Sequence, residues 1–338
     1  MDFFDIRAIE VMNLSADRDV SGEYSDFIRY CRKRKYVYEH ASDEQTVINE
    51  YEENSKLLYI NEPLRVEIYV TFLCNLRCTY CFQNHNFHRN RGVIKPEVID
   101  SMFRAISILN EMRNSKQAPI IKLFGGEPLL KGRSHREAIK KILDLCKKND
   151  YRVKLITNGV QLAYYADLLS KYDLEFIQVT LDGPQKVHDQ RRIFANGRGS
   201  FEFIAEGIDV ALNRGLPVAI RVNVDEDNIE FIPELARLII QKGWLDKRIA
   251  VGISPVDEFG PESEWCIEQV GVNTLKKLLE MKTQHEQTSF MSICCRLAKY
   301  FEHIVEKGTL PFPKIKYCSA TMGNQISLDL MGNMFACC

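Results

Sequence analysis

From Leu64 onward the chain alternates short β-branched runs with longer amphipathic stretches. This alternation predicts consecutive βα units and a parallel sheet. The predicted strands are Arg65–Thr71, Ile120–Phe124, Val153–Thr157, Phe176–Leu181, Val218–Val224 and Ile249–Ile253. The predicted helices between them are Pro96–Met112, His135–Lys147, Gln161–Lys171, Phe201–Arg214 and Ile229–Lys242. Six such strands indicate an α/β fold in the form of an incomplete, TIM-like (β/α)6 barrel.

The flanking regions differ from this core. Residues 1–62 are polar and weakly periodic, and we interpret them as a small accessory segment with helices at Glu23–Lys33 and Asp43–Glu52. After the last predicted strand, helices are predicted at Thr274–Gln284 and Ile293–Lys307. The tail SLDLMGNMFACC predicts two short strands around a turn, and the chain stops within the second one, as expected of a truncated chain.

Composition excludes some partners. The 338 residues include 45 basic and 46 acidic side chains, so no global positive field attracts nucleic acid or an anionic membrane. No apolar run is long enough for a membrane span, and the start MDFFDIRAIE lacks the features of a secretory signal. We therefore expect a soluble cytoplasmic protein that binds neither nucleic acid nor membrane.

Three cysteines follow the first predicted strand directly. Cys74, Cys78 and Cys81 place three thiols within eight residues, at the edge where parallel α/β sheets carry their chemistry. Three thiolates could hold a four-iron cluster with one iron left open. The alternative is a structural zinc site with His85 or His88 as fourth ligand, which the triad alone would favour.

The second and third strands also end in polar motifs. Gly125-Gly126-Glu127-Pro128 combines glycines that allow close backbone approach to a ligand with a carboxylate that can accept from an ammonium group. An isolated motif of this kind is an ordinary turn, but its place one βα unit after the cysteines favours function. The segment 157–159, Thr-Asn-Gly, is equally compatible with a left-handed turn and with a site.

These motifs together resemble the radical S-adenosylmethionine (SAM) superfamily. Its CxxxCxφC pattern corresponds to Cys74, Cys78, Tyr80 and Cys81, and GGE corresponds to Gly125, Gly126 and Glu127. The segment 180–192, TLDGPQKVHDQRR, resembles the LDGP…HxxxR region of the peptide- and protein-modifying branch. The resemblance implies a 4Fe–4S cluster whose open iron binds SAM, and reductive cleavage to a 5′-deoxyadenosyl radical that takes hydrogen from a substrate.

The resemblance also implies roles for individual residues. Glu127 would bind the amino group of SAM and Arg192 its carboxylate, with Arg191 as the substitute if the register slips by one. A solvated charge at a helix entry is the alternative for either arginine, and a satisfied turn residue is the alternative for Asn223. The residues expected at SAM are Tyr80, Gly125, Gly126, Glu127, Thr180, Arg192 and Asn223.

The C-terminal cysteines form a second pattern. Cys318 and Cys337 flank Gly332 in a CX13GX4C arrangement that resembles the opening of a SPASM or twitch domain, which binds auxiliary iron–sulfur clusters. The core would then cover residues 63–310 and the auxiliary domain would begin at 311–338. Ordinary buried cysteines are the alternative. Five other cysteines lack ligand-like spacing and are interpreted as structural, with an adjacent pair on a helix: Cys31, Cys146, Cys266, Cys294 and Cys295.

The sequence thus predicts a radical SAM enzyme that modifies a peptide or protein, supplied with electrons by a low-potential donor such as flavodoxin or ferredoxin. Within this class a sulfatase-maturating enzyme is an alternative, although Phe124 stands where those relatives carry a polar residue. From another class, a zinc-stabilised peptide-binding protein without chemistry remains open. The catalytic residue and the bond formed are not predicted.

Overall fold

The computed structural model describes residues 25–34, 37–38, 40–81, 83, 92–247, 249–256, 270–294, 303, 307 and 323–336. Within these residues one sheet contains the strands β1 (Arg65–Thr71), β2 (Ile120–Gly125), β3 (Arg152–Thr157), β4 (Leu174–Thr180), β5 (Val218–Val224), β6 (Ala250–Pro255), β7 (Met291–Ile293), β8 (Gln325–Leu328) and β9 (Met334–Phe335). Their spatial order is β7-β6-β5-β4-β3-β2-β1-β8-β9. All neighbours are parallel except β8 and β9, which form an antiparallel hairpin.

The α-helices are α1 (Ser25–Lys33), α2 (Ala41–Asn61), α3 (Pro96–Arg113), α4 (Arg133–Lys148), α5 (Leu162–Leu169), α6 (Gln185–Arg191), α7 (Phe201–Asn213), α8 (Ile232–Gln241) and α9 (Val270–Gln284). α3 begins with Pro96, whose missing amide hydrogen costs nothing in the first turn of a helix. Among the described helices, none combines the length and the apolar character needed to cross a bilayer.

Successive side chains along each strand point alternately to the two faces of the sheet. On β1, Val66, Ile68 and Val70 are completely buried and belong to the main apolar core. On the other face, Glu67 lies in register with Lys122 of β2 and pairs with it. Because helices in βα units cover one face of a parallel sheet, the apolar face packs under helices and the other carries polar groups.

The six predicted strands are all present, with ends within two residues of the prediction, which confirms the partial (β/α)6 architecture. One further strand of the sheet, β7, was not predicted. The predicted helix at Ile293–Lys307 is wrong at its start, because Met291–Ile293 forms β7 against β6. The predicted C-terminal hairpin is confirmed, and its strand β8 also pairs with β1 and extends the sheet.

A buried arginine bonds to two segments that flank the core, the end of α2 and the entry to β8. The guanidinium of Arg113, at the end of α3, donates to the carbonyl oxygens of Tyr59 at 2.6 Å and Gly323 at 2.6 Å. It also donates to Oδ1 of Asn324 at 2.9 Å and lies 3.9 Å from the centre of the Tyr59 ring. α2 and the entry to β8 are therefore held by one side chain.

We predict that Arg113→Met lowers the free energy of unfolding by about 3 kcal/mol, because several buried oxygens lose a charged donor. Equilibrium urea denaturation of the two proteins measures the difference. Arg104→Met, on the exposed face of the same helix, should change the stability by less than about 0.5 kcal/mol. Equal losses in the two variants would contradict the role of Arg113.

Candidate active site

The loop that carries the cysteines is bound on one side by the motif that follows β2. The amide of Gly126 donates to the carbonyl of Thr71 at 2.8 Å, and the amide of Glu127 donates to that of Leu73 at 2.8 Å. A Cβ atom on Gly125 would lie 2.2 Å from the Thr71 oxygen, and one on Gly126 would lie 2.3 Å from the Leu73 oxygen. The two glycines therefore allow the loops after β1 and β2 to touch.

The other side of the cysteine loop is bound by the segment after α6. The amide of Arg77 donates to the carbonyl of Ile193 at 2.6 Å, and the amide of Thr79 donates to that of Arg191 at 3.0 Å. The loop is thus bonded to segments that follow two different strands of the sheet.

The three thiols are free and lie on this loop, with Cys74 and Cys78 half-buried and Cys81 exposed. Burial raises the pKa of Cys74 to about 12, and the nearby Glu127 carboxylate adds to the effect. Burial also raises the pKa of Cys78, against the lowering effect of the Arg192 guanidinium. Iron binds the thiolate form, so cluster assembly on these residues would release protons.

In the part of the chain that the structure describes, no three His, Cys, Asp or Glu side chains are close enough to share one metal ion. In a four-iron cluster each thiolate binds its own iron, so its protein ligands need not meet at one point. The proposed fourth zinc ligands, His85 and His88, lie outside the described residues.

Glu127 joins the ends of β2 and β3. Its carboxylate accepts hydrogen bonds from the amide of Leu129 at 2.9 Å, the hydroxyl of Thr157 at 2.6 Å and the amide of Asn158 at 2.6 Å. The residue is only 1% exposed, and burial raises its pKa while the three hydrogen bonds oppose that rise. A carboxylate offers about four acceptor positions, so one remains for a ligand.

Asn158 extends this connection to the cysteine loop. Its Nδ2 donates to Oδ1 of Asn75 at 2.7 Å and lies 3.8 Å from Sγ of Cys74. The Thr-Asn-Gly segment, which the sequence left open between a turn and a site, therefore lies among the site residues.

A second polar cluster lies at the ends of β4 and β5. The hydroxyl of Tyr80 donates to Oδ2 of Asp182 and accepts from Nη1 of Arg192 at 2.6 Å and from Nδ2 of Asn223 at 3.2 Å. Asp182 is completely buried, and it was not among the site residues predicted from the sequence. Asp182 could have been predicted as a site residue because its carboxylate directly follows the predicted fourth strand, in the same motif as Thr180. Thr180 itself is buried at the end of β4.

The two adjacent arginines have different partners. Arg191 forms a bidentate pair with Asp225, with both N–O distances at 2.7 Å. Arg192 is 7% exposed and its Nη1 lies 3.9 Å from the Asp182 carboxylate. The Nε atoms of both are buried and have no hydrogen-bond partner among the described residues. The buried guanidinium of Arg192, which is not engaged in a bidentate pair, fits an anionic group such as a carboxylate.

His188 stabilises this cluster through hydrogen bonds with Asp182 and Ser200. Its Nδ1 accepts from the amide of Asp182 at 3.2 Å, so the proton lies on Nε2, 3.1 Å from Oγ of Ser200. The Ser200 hydroxyl in turn donates to the carbonyl of Arg192 at 2.6 Å. Burial, with the positive charges of Arg192 and Arg191, keeps the pKa of His188 well below its usual value, so the ring is neutral.

Three of the remaining cysteines lie among the described residues. Cys31 and Cys146 are buried in the core. Cys294 is exposed directly after β7, which corrects its assignment to a helix. Cys266, Cys295, Cys318 and Cys337 lie outside the described residues.

Related sequences were found for this chain. A protein from Methanopyrus kandleri described as a probable GTP 3′,8-cyclase is 27% identical over 202 residues, which cover 59% of this chain and 60% of the relative. A cysteine-type anaerobic sulfatase-maturating enzyme from Clostridium perfringens strain 13 is 28% identical over 278 residues, covering 78% and 71%. For another sulfatase-maturating enzyme of that species, the matched region covers only 37% of the relative's length.

Solved structures share the fold at low identity. The enzyme anSMEcpe with bound AdoMet superposes with a TM-score of 0.61 at 20% identity, covering 81% of this chain and 74% of that structure. Streptococcus suis SuiB bound to S-adenosylmethionine gives 0.59 at 17%, covering 93% and 71%. A sequence profile described as the Radical SAM superfamily matches residues 68–239, which include the second half of β1, the cysteine loop and β2 to β5. This chain therefore belongs to the radical SAM superfamily of enzymes, which use a 4Fe–4S cluster and SAM.

Proposed function

We propose that this chain cleaves SAM reductively and directs the resulting radical to a peptide or protein substrate. The observation that carries the proposal is the bonding of a three-cysteine loop to the segments after β2 and α6 and to the end of β5, which supply Glu127, Arg192 and Asn223. The cluster that these cysteines would hold would supply the one electron needed to cleave the sulfonium of SAM into methionine and the 5′-deoxyadenosyl group that takes hydrogen from the substrate.

Each group has a defined task in this proposal. Cys74, Cys78 and Cys81 hold three irons and leave the fourth for SAM. Arg192 donates to the SAM carboxylate, and Glu127 accepts from the amino group with its remaining acceptor position. Asn223 uses one N–H on Tyr80 and keeps the second for the ribose.

Thr180, Gly125 and Gly126 complete the proposed SAM site. Thr180 ends β4 beside the Asp182 cluster, where its hydroxyl would contact SAM. The glycines act through their close contact with the cysteine loop, which brings Glu127 next to the cluster ligands.

Two structures of relatives support a peptide substrate. anSMEcpe has been solved with AdoMet and the Cp18Cys peptide, and SuiB with its precursor peptide SuiA, with TM-scores of 0.59 and 0.57. By analogy, a low-potential electron donor such as flavodoxin or ferredoxin would supply the electron. Cys318 and Cys337 would contribute to an auxiliary iron–sulfur cluster in a SPASM-like domain.

A second candidate reaction is the cyclisation of GTP, because several sequence relatives are described as GTP 3′,8-cyclases. The two reactions can be distinguished by testing which substrate accelerates the formation of 5′-deoxyadenosine. Reconstituted enzyme is incubated with SAM and dithionite, and with either GTP or the Cp18Cys peptide. Acceleration by GTP, with a cyclised nucleotide as product, would replace the peptide proposal.

The cluster assignment predicts a sharp difference between two cysteine variants. Anaerobically reconstituted wild type should contain about four irons per reactive cluster and release 5′-deoxyadenosine with dithionite. Cys78→Ala should abolish this release, because a cluster ligand is lost. Cys146→Ala, a buried site on α4, should retain activity within a few-fold.

Iron analysis and chromatography of 5′-deoxyadenosine test both variants. Equal loss of activity would contradict the assigned roles. A wild-type protein that binds zinc alone and leaves SAM intact would establish the zinc-stabilised binding protein instead.

Glu127→Gln tests the connection between β2 and β3. An amide group in place of one carboxylate oxygen would face a backbone or hydroxyl donor, so we expect about 2 kcal/mol lower stability and at least about tenfold slower SAM cleavage. Glu137→Gln is the matched control, because Glu137 is exposed on α4 and pairs with Arg133. Urea denaturation and 5′-deoxyadenosine release are measured for both, and similar values for the two variants would refute the role of Glu127.

A further inference from the structure

The structure assigns to Tyr80 and Asp182 a role as positioning residues that hold Arg192 and Asn223 in the orientation SAM requires. This inference rests on the proposed function and deepens it, because it concerns the Tyr80 hydroxyl and the Asp182 carboxylate, which bond to protein groups. It follows from the number and direction of the hydrogen bonds at one oxygen atom.

The hydroxyl of Tyr80 has no bonding capacity left for a ligand. A phenolic oxygen donates one hydrogen bond and accepts at most two. Its proton goes to the Asp182 carboxylate, and its two acceptor positions are taken by Arg192 at 2.6 Å and Asn223 at 3.2 Å. The hydroxyl is therefore a connector between protein groups.

Asp182 provides a fixed base for this connector. It is completely buried, and its Oδ1 accepts from the amide of Asn223 at 3.0 Å. Its own carbonyl accepts from Nδ2 of Asn228 at 2.7 Å, and its amide donates to Nδ1 of His188 at 3.2 Å. With both its backbone and its carboxylate held, Asp182 fixes the position of the Tyr80 hydroxyl.

The position of Tyr80 in the sequence links the groups that orient SAM to the loop that holds the cluster. Tyr80 lies between Cys78 and Cys81, so its ring moves with the cluster ligands. Arg192 and Asn223 come from the segment after α6 and from β5, and both donate hydrogen bonds to the Tyr80 oxygen. The hydroxyl therefore sets the distance between the groups that orient SAM and the loop that holds the cluster.

The test compares two tyrosine variants that each lose one hydroxyl bonded to an aspartate. Tyr80→Phe keeps the ring, over which the Arg191 guanidinium lies at 5.0 Å, and removes only the connector. Tyr172→Phe removes a hydroxyl that donates to Asp144 at 2.7 Å on the surface of α4. Both proteins are reconstituted anaerobically, and iron content, the cluster's EPR spectrum and SAM-cleavage kinetics with dithionite are measured.

We expect Tyr80→Phe to keep wild-type iron content and to raise KM for SAM by about tenfold or more, since a charged group loses its hydrogen-bond partner. kcat at saturating SAM should fall by a smaller factor, because excess SAM compensates for poor orientation of its binding groups. The EPR change that SAM induces in the reduced cluster should shift to higher SAM concentration. Tyr172→Phe should match the wild type in all of these measurements.

Asp182→Asn provides a second and independent variant. It should raise KM for SAM like Tyr80→Phe, and the double variant should be no worse than the poorer single variant, because the two residues act as one unit. An unchanged KM in Tyr80→Phe with a full cluster would overturn the inference. Loss of iron from both single variants would also overturn it, since the residues would then hold the cluster loop. Failure of the proposed function would show in the wild type, as absence of SAM cleavage.

Discussion

The backbone hydrogen bonds on both sides of the cysteine loop are the constraint on which the rest of the site depends. The loop has little regular structure of its own, and the amides of Gly126 and Glu127 bind it from one side while the carbonyls of Arg191 and Ile193 bind it from the other. Since these partners follow β2 and β4, the order of the sheet determines where the thiols lie. A parallel sheet is a suitable scaffold because the carboxyl ends of its strands meet at one edge.

The site also concentrates charge in a buried region. Glu127, Asp182 and Arg192 are each less than 10% exposed, and isolated buried charges would be costly. Here each carboxylate receives hydrogen bonds from backbone amides as well as side chains, which offsets much of that cost. The donors and acceptors are thereby fixed before any ligand binds, which reduces the reorganisation that binding requires.

The sequence predicted the six core strands well because each is a local run of apolar, β-branched residues whose period is visible in the chain itself. β7 and the pairing of β8 with β1 were missed because three- and four-residue strands carry little periodicity, and their pairing depends on distant residues. The same limit applies at the site. Cys74, Cys78 and Cys81 are recognisable from spacing, whereas the roles of Asp182 and Asn158 arise only from contacts between separate strand ends.

The pairing of β8 with β1 has a consequence for how the chain reaches its fold. Ser327 and Glu67, which are in register and hydrogen-bonded, are 260 residues apart in the chain. During synthesis β1 therefore remains an edge strand, with unpaired backbone groups on a segment that is buried in the finished sheet, until residues 325–328 have left the ribosome. The yield of folded protein in the cell should depend on what shields that edge in the meantime, because β1 becomes an interior strand only in the finished sheet.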